Sequence, residues 1–578
     1  MKGDAPMTEM TTGHHNRLLR FVPGLVTLGR YDRDWFRHDL VAGISVAAVA
    51  LPIAIAYSQL AGVPPVYGLY ASLLPLVAYA LFGTSRQLIL APDAATCAIV
   101  AAVVVPLAGV DQVQYLSLTA TLAMIAGVFC IVAGLARLGF LTNFLARPIL
   151  TGYLNGIAIC IITGQLGTLF GFTLAPEGFF RLLWQFFLKL GETHGPTLAV
   201  GGTTLALLLL LARLAPKVPG PLVAVVFGIT GSVVFGLSEH GLRLLGAIPA
   251  GLPSLTIPGI NLRDLDSLLM GAAGLALISY NSTMVTARGF AAKNRYDIDA
   301  NQEFIALGVA NIGAGVLQGF AVAGADSRTA VNDSVGGKSQ ITSLVAAAVL
   351  ALTLLFFTKP LGWLPMAVLS AVLIKAAMSL FDLQGLLNLR RVSPQEFRLC
   401  LITLLGVITV GVLPGVVVAV GVAIVQLMIR ASIPHDAVLG RIPGTGMYSD
   451  IANNPGAETF PGLVIYRFDA SLVFFNADHF KARVKTVVRH AQTPVRYLLL
   501  DAGTMPMLDT TGAASLDQVC GDLEAQGITM AVAAAKGPVR TMLDKTGLAA
   551  RIGPERMFPT VESAVEALMA NEKGGKTT

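Results

Sequence analysis

Charge is scarce in this sequence. Of its 578 residues only 13% are Asp, Glu, Lys or Arg, against 54% that are hydrophobic. Soluble domains carry about a quarter charged residues, so a single soluble globule is excluded. The shortage holds from about residue 40 to 432; from about residue 440 onward charge is ordinary. That break points to a membrane domain followed by a soluble one. Cysteine is scarce too. There are five, at positions 97, 130, 160, 400 and 520, and none forms a Cys-x-x-Cys pair. Neither a disulfide framework nor a zinc site is expected. With no nucleophile–base set and no metal cluster, the sequence gives no support to an enzyme or to a cofactor. The net charge of +6 sits mostly in loops between apolar runs, where it speaks for membrane orientation and not for nucleic acid. Residues 1–38 are polar and basic and the first apolar run is long enough to span, so no cleavable signal peptide is expected.

What is present is a series of apolar runs. A bilayer core needs about 20 apolar residues per helix. Fourteen candidate segments can be marked: 40–58, 66–82, 92–108, 115–136, 148–168, 196–214 and 219–238, then, after a polar loop, 265–287, 302–322, 326–336, 340–358, 364–381, 395–412 and 414–432. Two are poor spans, and both are third in their half. One opens on Ala91-Pro92-Asp93; the other, Asp326 to Asn332, is short and polar. Broken backbone inside a bilayer is tolerated where it is buried or lines a cavity, and a matched pair of such segments points to a transporter's binding site. The halves echo one another: Val218-Pro219-Gly220 and Leu413-Pro414-Gly415 open their last segments. Residues 176–195, rich in aromatics, read as an interfacial amphipathic helix inserted in the first half only. Basic residues such as Arg33, Arg37, Arg86, Arg137, Arg288, Lys293, Arg390 and Arg391 concentrate where a cytoplasmic N-terminus places them inside. An even number of spans then returns the C-terminus to the cytoplasm.

The tail alternates strand and helix. Leu463–Arg467, Tyr497–Asp501 and Ile528–Ala535 read as strands. Asn476, Asp509, Gly537 and Thr560 mark helix starts. This is a small α/β layer domain. Thr510 and Thr511, after Asp509, stand at a helix start where added phosphate is favourable; the simpler reading is a plain N-cap.

Pro52-Ile53-Ala54-Ile55-Ala56-Tyr57-Ser58-Gln59-Leu60-Ala61-Gly62 and its continuation through Tyr70 resemble the signature of the sulfate permease (SulP) family. Gly83-Thr84-Ser85-Arg86, Asn301-Gln302-Glu303 and Gly324-Ala325-Asp326-Ser327-Arg328-Thr329 resemble its later motifs, and the tail resembles its STAS domain. The resemblance implies a polytopic α-helical membrane protein of two inverted seven-segment repeats, divided into core and gate, with a cytosolic α/β STAS domain. It also implies a homodimer in the plasma (inner) membrane with an elevator motion. The domains would be a cytosolic segment 1–38, a transport domain 39–432, a linker 433–459 and the STAS domain 460–573. The anion site would hold Tyr57, Asp93, Ala94, Ala95, Thr96, Ala325, Asp326, Ser327 and Arg328. Two helix starts facing one pocket favour an anion, and a charge at membrane depth is a functional candidate by default.

This sequence departs from the family pattern in three places. Ile53 stands where glutamine is common, Ser282 where an acid is common, and Asp326 where an apolar or small residue is usual. Without the acid at 282, sodium coupling through Ser282 and Thr286 loses its natural ligand. Asp93 and Asp326 instead put two carboxylates near the anion, whose repulsion protonation would relieve. The expectation is a small-anion carrier, sulfate by default, in proton symport, with Asp326 or Asp93 holding the proton or Asp326 simply pairing with Arg328. Bicarbonate or C4-dicarboxylate carriers, and an exchanger or channel, are the alternatives.

Overall fold

The computed structural model describes residues 22–25, 31–109, 111–139, 147–175, 178–215, 218–259 and 265–574. Most of the basic N-terminal segment lies outside the described residues. The chain divides into two compact units, Met1–Gly421 and Val422–Thr578.

Each of the fourteen expected segments is a helix. In the first half they are α1 (Phe36–Leu60), α2 (Pro65–Phe82), α3 (Ala94–Ala108), α4 (Gln112–Leu135), α5 (Arg147–Phe170), then, after the inserted α6 (Phe179–Leu188), α7 (Gly195–Leu214) and α8 (Gly220–Val234). In the second they are α9 (Leu265–Asn294), α10 (Ala300–Val316), α11 (Asp326–Val335), α12 (Ile341–Phe356), α13 (Met366–Leu380), then, after the short α14 (Leu383–Val392), α15 (Pro394–Val410) and α16 (Val412–Ser432). Seven of the described helical stretches are long and apolar enough to cross a bilayer unaided. The α14 helix was not expected; Asp382 caps it by accepting from the Gly385 N–H at 2.8 Å, and Arg390 and Arg391 close its last turn. The aromatic insertion is helical as expected, with Phe180, Trp184 and Phe187 exposed along α6.

Local chemistry sets the ends. Asp111 caps α4 by accepting from the N–H groups of Val113 and Gln114, at 2.9 and 3.2 Å. Asp299 caps α10 in the same way through Asn301 and Gln302. The first unit packs as two groups of helices. In one, α10 lies between α2 and α4, and α12 lies on α1 and α2; in the other, α5 packs on α13 and α15, and α13 on α7. The α4–α10 approach needs glycine on both sides. A Cβ on Gly127 would stand 2.6 Å from the Gly308 carbonyl oxygen, and one on Gly308 would stand 2.5 Å from that of Gly127. Gly315 meets Ala120 in the same way, so the small residues after Asn311 serve helix packing.

The motif Asn301-Gln302-Glu303 fastens α10 to its neighbours. The Asn301 Oδ1 accepts from the Gly139 N–H, and the Gln302 amide donates to the Phe82 carbonyl at the end of α2. Glu303 is fully buried and accepts from the Tyr79 hydroxyl (2.7 Å), the Thr84 hydroxyl (2.6 Å) and the Thr84 and Ser85 N–H groups. Asp39, equally buried, does the corresponding task near the start of α1. It accepts from the Lys338 N–H, from the Ser339 N–H and hydroxyl, and from the Tyr31 hydroxyl.

The second unit is an α/β layer built on a six-stranded sheet. Its strands are β3 (Asp436–Arg441), β4 (Tyr448–Asp450), β5 (Leu463–Phe468), β6 (Tyr497–Asp501), β7 (Thr529–Ala533) and β8 (Met557–Phe558), in the order β4-β3-β5-β6-β7-β8. The last four are parallel, and β3 runs antiparallel to β4 and β5. Strand alternation divides its core. Val464, Tyr466 and Phe468 face α17 (Ala477–Arg489), α18 (Thr510–Glu524), α19 (Gly537–Lys545) and α20 (Leu548–Ile552), while Leu463 and Ile465 face α21 (Val561–Gly574). Two expectations change here. The stretch 433–459, read as a linker, supplies β3 and β4, whose short alternating strands carry too few apolar residues to stand out in sequence. Asn476 does not cap α17: its buried side chain accepts from the Val473 N–H and donates to the Ser471 and Ala431 carbonyls.

Candidate functional site

The two interrupted segments meet. Just before α3 and α11 lie two-residue strands, β1 (Leu90–Ala91) and β2 (Ala323–Gly324), paired antiparallel with Leu90 opposite Gly324 and Ala91 opposite Ala323. The pairing is extended by the Ala325 N–H donating to the Ile89 carbonyl (2.9 Å) and the Ile89 N–H donating to the Thr329 hydroxyl (3.0 Å). The Asn332 amide holds the Gln87 carbonyl, and the Gly324 N–H donates to the Thr283 hydroxyl of α9. Several of the backbone groups freed by breaking the helices thus find partners near the break, as a low-dielectric setting demands.

The starts of the two half-helices differ. Asp93 caps α3, accepting from the Ala95 N–H at 3.2 Å, and the Thr96 hydroxyl donates back to the Asp93 carbonyl. Ala94 and Ala95 are buried beneath it and present no side chain beyond a methyl. The expected free N–H groups on this helix are therefore answered in part by its own carboxylate. No side chain caps α11: Ala325 stands at its N-cap with nothing to offer, so this end keeps its first-turn donors. Asp326 and Ser327 are exposed beside it.

Arg328 is 1% exposed. Its Nη1 donates to the Pro92 carbonyl at 2.9 Å, and its guanidinium lies 5.7 Å from the centre of the Tyr57 ring on α1, within cation–π range. Its Nε and Nη2 have no hydrogen-bond partner among the described residues. The expected pairing of Asp326 with Arg328 does not form. Asp326 is instead hydrogen-bonded to the Thr286 hydroxyl, which also lies 3.0 Å from the Ser282 carbonyl. The structure thus gathers Tyr57, Asp93, Ala325 and Arg328 at the crossing, with Asp326 tied to the Ser282–Thr286 turn of α9. Thr510 and Thr511 are exposed at the start of α18, where Asp509 accepts from the Gly512 N–H (2.7 Å) and the Phe474 N–H (2.9 Å).

Sequence reasoning missed Asp39 and the task of Glu303. A single acid at the edge of an apolar run was the available signal, since an acid is buried there only when answered by donors.

A sulfate permease family model matches residues 36–403, and a STAS domain model matches residues 454–564. The chain belongs to the sulfate permease family. A probable sulfate transporter of Mycobacterium tuberculosis is 40% identical over 547 residues, covering 95% of this chain and 98% of that protein. The chloroplastic sulfate transporter 4.1 of Arabidopsis thaliana is 29% identical, covering 93% and 80%. Among solved structures, the murine Slc26a9 anion transporter in its inward-facing state superposes with a TM-score of 0.88 at 22% identity, over 98% of this chain and 97% of that one. The transmembrane domain of a cyanobacterial bicarbonate transporter, BicA, gives 0.59 at 26% identity, over 68% and 97%. The fold is therefore that of a multi-pass membrane transporter with a C-terminal STAS domain. Its family and relatives are transporters, not enzymes.

Proposed function

We propose that this sulfate permease family member carries sulfate into the cell together with a proton, by moving one helix group against the other. The observation that carries the reading is the buried Arg328, whose Nε and Nη2 have no partner among the described residues and stand beside the uncapped start of α11. A guanidinium fork and free helix N–H groups suit a tetrahedral oxyanion. The mycobacterial relative, similar over nearly its whole length, is named for sulfate, which favours it over bicarbonate.

Asp326 is the proposed proton carrier. Its partner is a hydroxyl, which can donate to a carboxylate and accept from a carboxylic acid, so the Thr286 contact survives either state. Asp93, engaged as the cap of α3, is the alternative carrier. An elevator motion is supported by the α3–α11 crossing being tied into the group of α1, α2, α4, α9, α10 and α12. The sliding partner is the group around α5, α7 and α13. In the plasma membrane both termini would lie in the cytoplasm, the chain would work as a homodimer, and phosphorylation of Thr510 or Thr511 would regulate it.

The test is uptake of labelled sulfate into proteoliposomes under an imposed pH gradient. Acid outside should accelerate uptake in the wild type, and Asp326→Asn should abolish that acceleration while retaining sulfate–sulfate counterflow. Full proton dependence in Asp326→Asn would remove Asp326 as the carrier. Uptake of bicarbonate or a C4-dicarboxylate without sulfate would overturn the substrate assignment.

A further inference from the structure

A second cavity lies away from the crossing. It has a volume of about 430 Å³ and opens at the end of the membrane unit opposite the start of α1, between the two helix groups. Gln59, at the end of α1, contributes from one group; Gln165 and Thr168, at the end of α5, contribute from the other. Arg243 stands in its wall. It is the one charged side chain among the described lining residues, and neither Asp nor Glu accompanies it.

Arg243 is held there by backbone. Its carbonyl accepts from the Met366 N–H at 2.9 Å, and the next residues continue the tie, Leu245 N–H to the Leu364 carbonyl and Gly246 N–H to the Gly362 carbonyl. The guanidinium forms no ion pair among the described residues. Gln165 is oriented by the Ser370 hydroxyl, which donates to its Oε1 at 3.0 Å; this leaves its amide N–H groups as donors for the cavity. One fixed cation, amide donors and no acid make a concave surface of positive potential, and such surfaces concentrate anions and speed their capture.

We propose that this cavity is an entry site for a small inorganic oxyanion on the outer face, where Arg243 and Gln165 take up the substrate before it reaches Arg328. The proposal rests on the oxyanion-carrier reading above and on the cytoplasmic placement of the N-terminus. Because Gln59 belongs to one helix group and Gln165 to the other, relative movement of the groups dismantles the site and releases the anion.

The experiment is initial-rate uptake of labelled sulfate into intact cells, paired with efflux from preloaded cells. Arg243→Gln should raise the external KM on the order of threefold to tenfold with the uptake Vmax and the internal KM unchanged; because the carrier is reversible, the efflux Vmax then falls by the same factor. Arg243→Lys should stay near wild type. The effect should shrink in high salt, where an exposed charge is screened within a few ångströms. An unchanged external KM, or a matching rise in the internal KM, overturns the proposal. A direct reading is independent of transport. In the full-length purified protein, Leu174→Trp places a reporter in the cavity wall, and its fluorescence should respond to sodium sulfate, with loss of the response on adding Arg243→Gln. No response with Arg243 present overturns the site itself, whereas a response without any uptake overturns the carrier reading instead.

Discussion

Replacing Arg328 by lysine keeps the charge and removes the fork. Among the described residues the guanidinium makes one hydrogen bond, to the Pro92 carbonyl, and leaves Nε and Nη2 for a ligand. An oxyanion reaching both nitrogens gains two charge-assisted bonds from a side chain that is 1% exposed. A lysine ammonium is a compact point charge and does not reproduce the paired geometry. Losing one such bond costs about 1.5–3 kcal/mol, which is roughly a ten- to hundred-and-fifty-fold loss of sulfate affinity. A thermal-shift titration of purified protein with sulfate measures this, because a ligand bound only by the folded state raises the midpoint by mass action. The midpoint without sulfate separates folding from binding. If Arg328→Lys lowers that midpoint yet binds sulfate within twofold of wild type, Arg328 serves only to hold Pro92, and the site lies elsewhere.

The remaining predictions concern what holds the site. Gly127→Val or Gly308→Val must push α4 from α10 and should cost about 1–3 kcal/mol or more, read as a lower unfolding midpoint in detergent with reduced yield. Glu303→Gln keeps the shape but removes the charge that four donors share; a loss of about 2 kcal/mol in the same assay is expected. In the second unit, burial pushes the Asp469 carboxyl up, but hydrogen bonds from His435 and Arg467 outweigh it and hold it below the usual carboxylate range. A depressed carboxyl stabilises the fold above its unfolded value, near about 3.9, and that stability is lost as pH falls through the lower folded value. Asp469→Asn should therefore lower the midpoint at neutral pH and flatten its decline in acid. Thr510→Glu or Thr511→Glu, each adding negative charge at the start of α18, should change the uptake rate while leaving the midpoint within a few degrees.

Hydropathy made the membrane helices legible, because each buries or exposes to lipid a run of apolar residues that no soluble helix would carry. The pair of broken segments was legible as well, since Pro92 and the polar run from Asp326 stand out against their surroundings. What the breaks do was not. The β1–β2 pairing uses backbone atoms of Leu90, Ala91, Ala323 and Gly324, whose side chains carry no sign of it. The partner of Asp326 was hidden for a related reason. Thr286 lies 40 residues from Asp326 in sequence, and the choice between that hydroxyl and Arg328 depends on how α9 rotates against α11. Strands β3 and β4 escaped notice because antiparallel strands need little apolar content, and β4 is only three residues long at the sheet edge.

The inverted repeat is symmetric in backbone and asymmetric in charge, and the asymmetry bears on coupling. Each half supplies a short strand and a half-helix, yet the first brings Asp93 to its helix start while the second brings Asp326 and Arg328. With both acids ionised, the crossing carries one positive charge against two negative, a net −1. An arriving oxyanion then meets repulsion that the helix start and the guanidinium must overcome. One proton on Asp326 leaves Arg328 opposed by Asp93 alone, a net of zero, and the Thr286 contact need not break. Under the proposed proton symport, proton first, anion second is the order the charges favour, and proton loss on the inner face would restore the repulsion that expels the anion. Asp326→Asn fixes the neutral state. It should bind sulfate at least as tightly as wild type and release it slowly, so counterflow proceeds while net uptake loses its response to pH. Weaker sulfate binding in Asp326→Asn would refute this ordering.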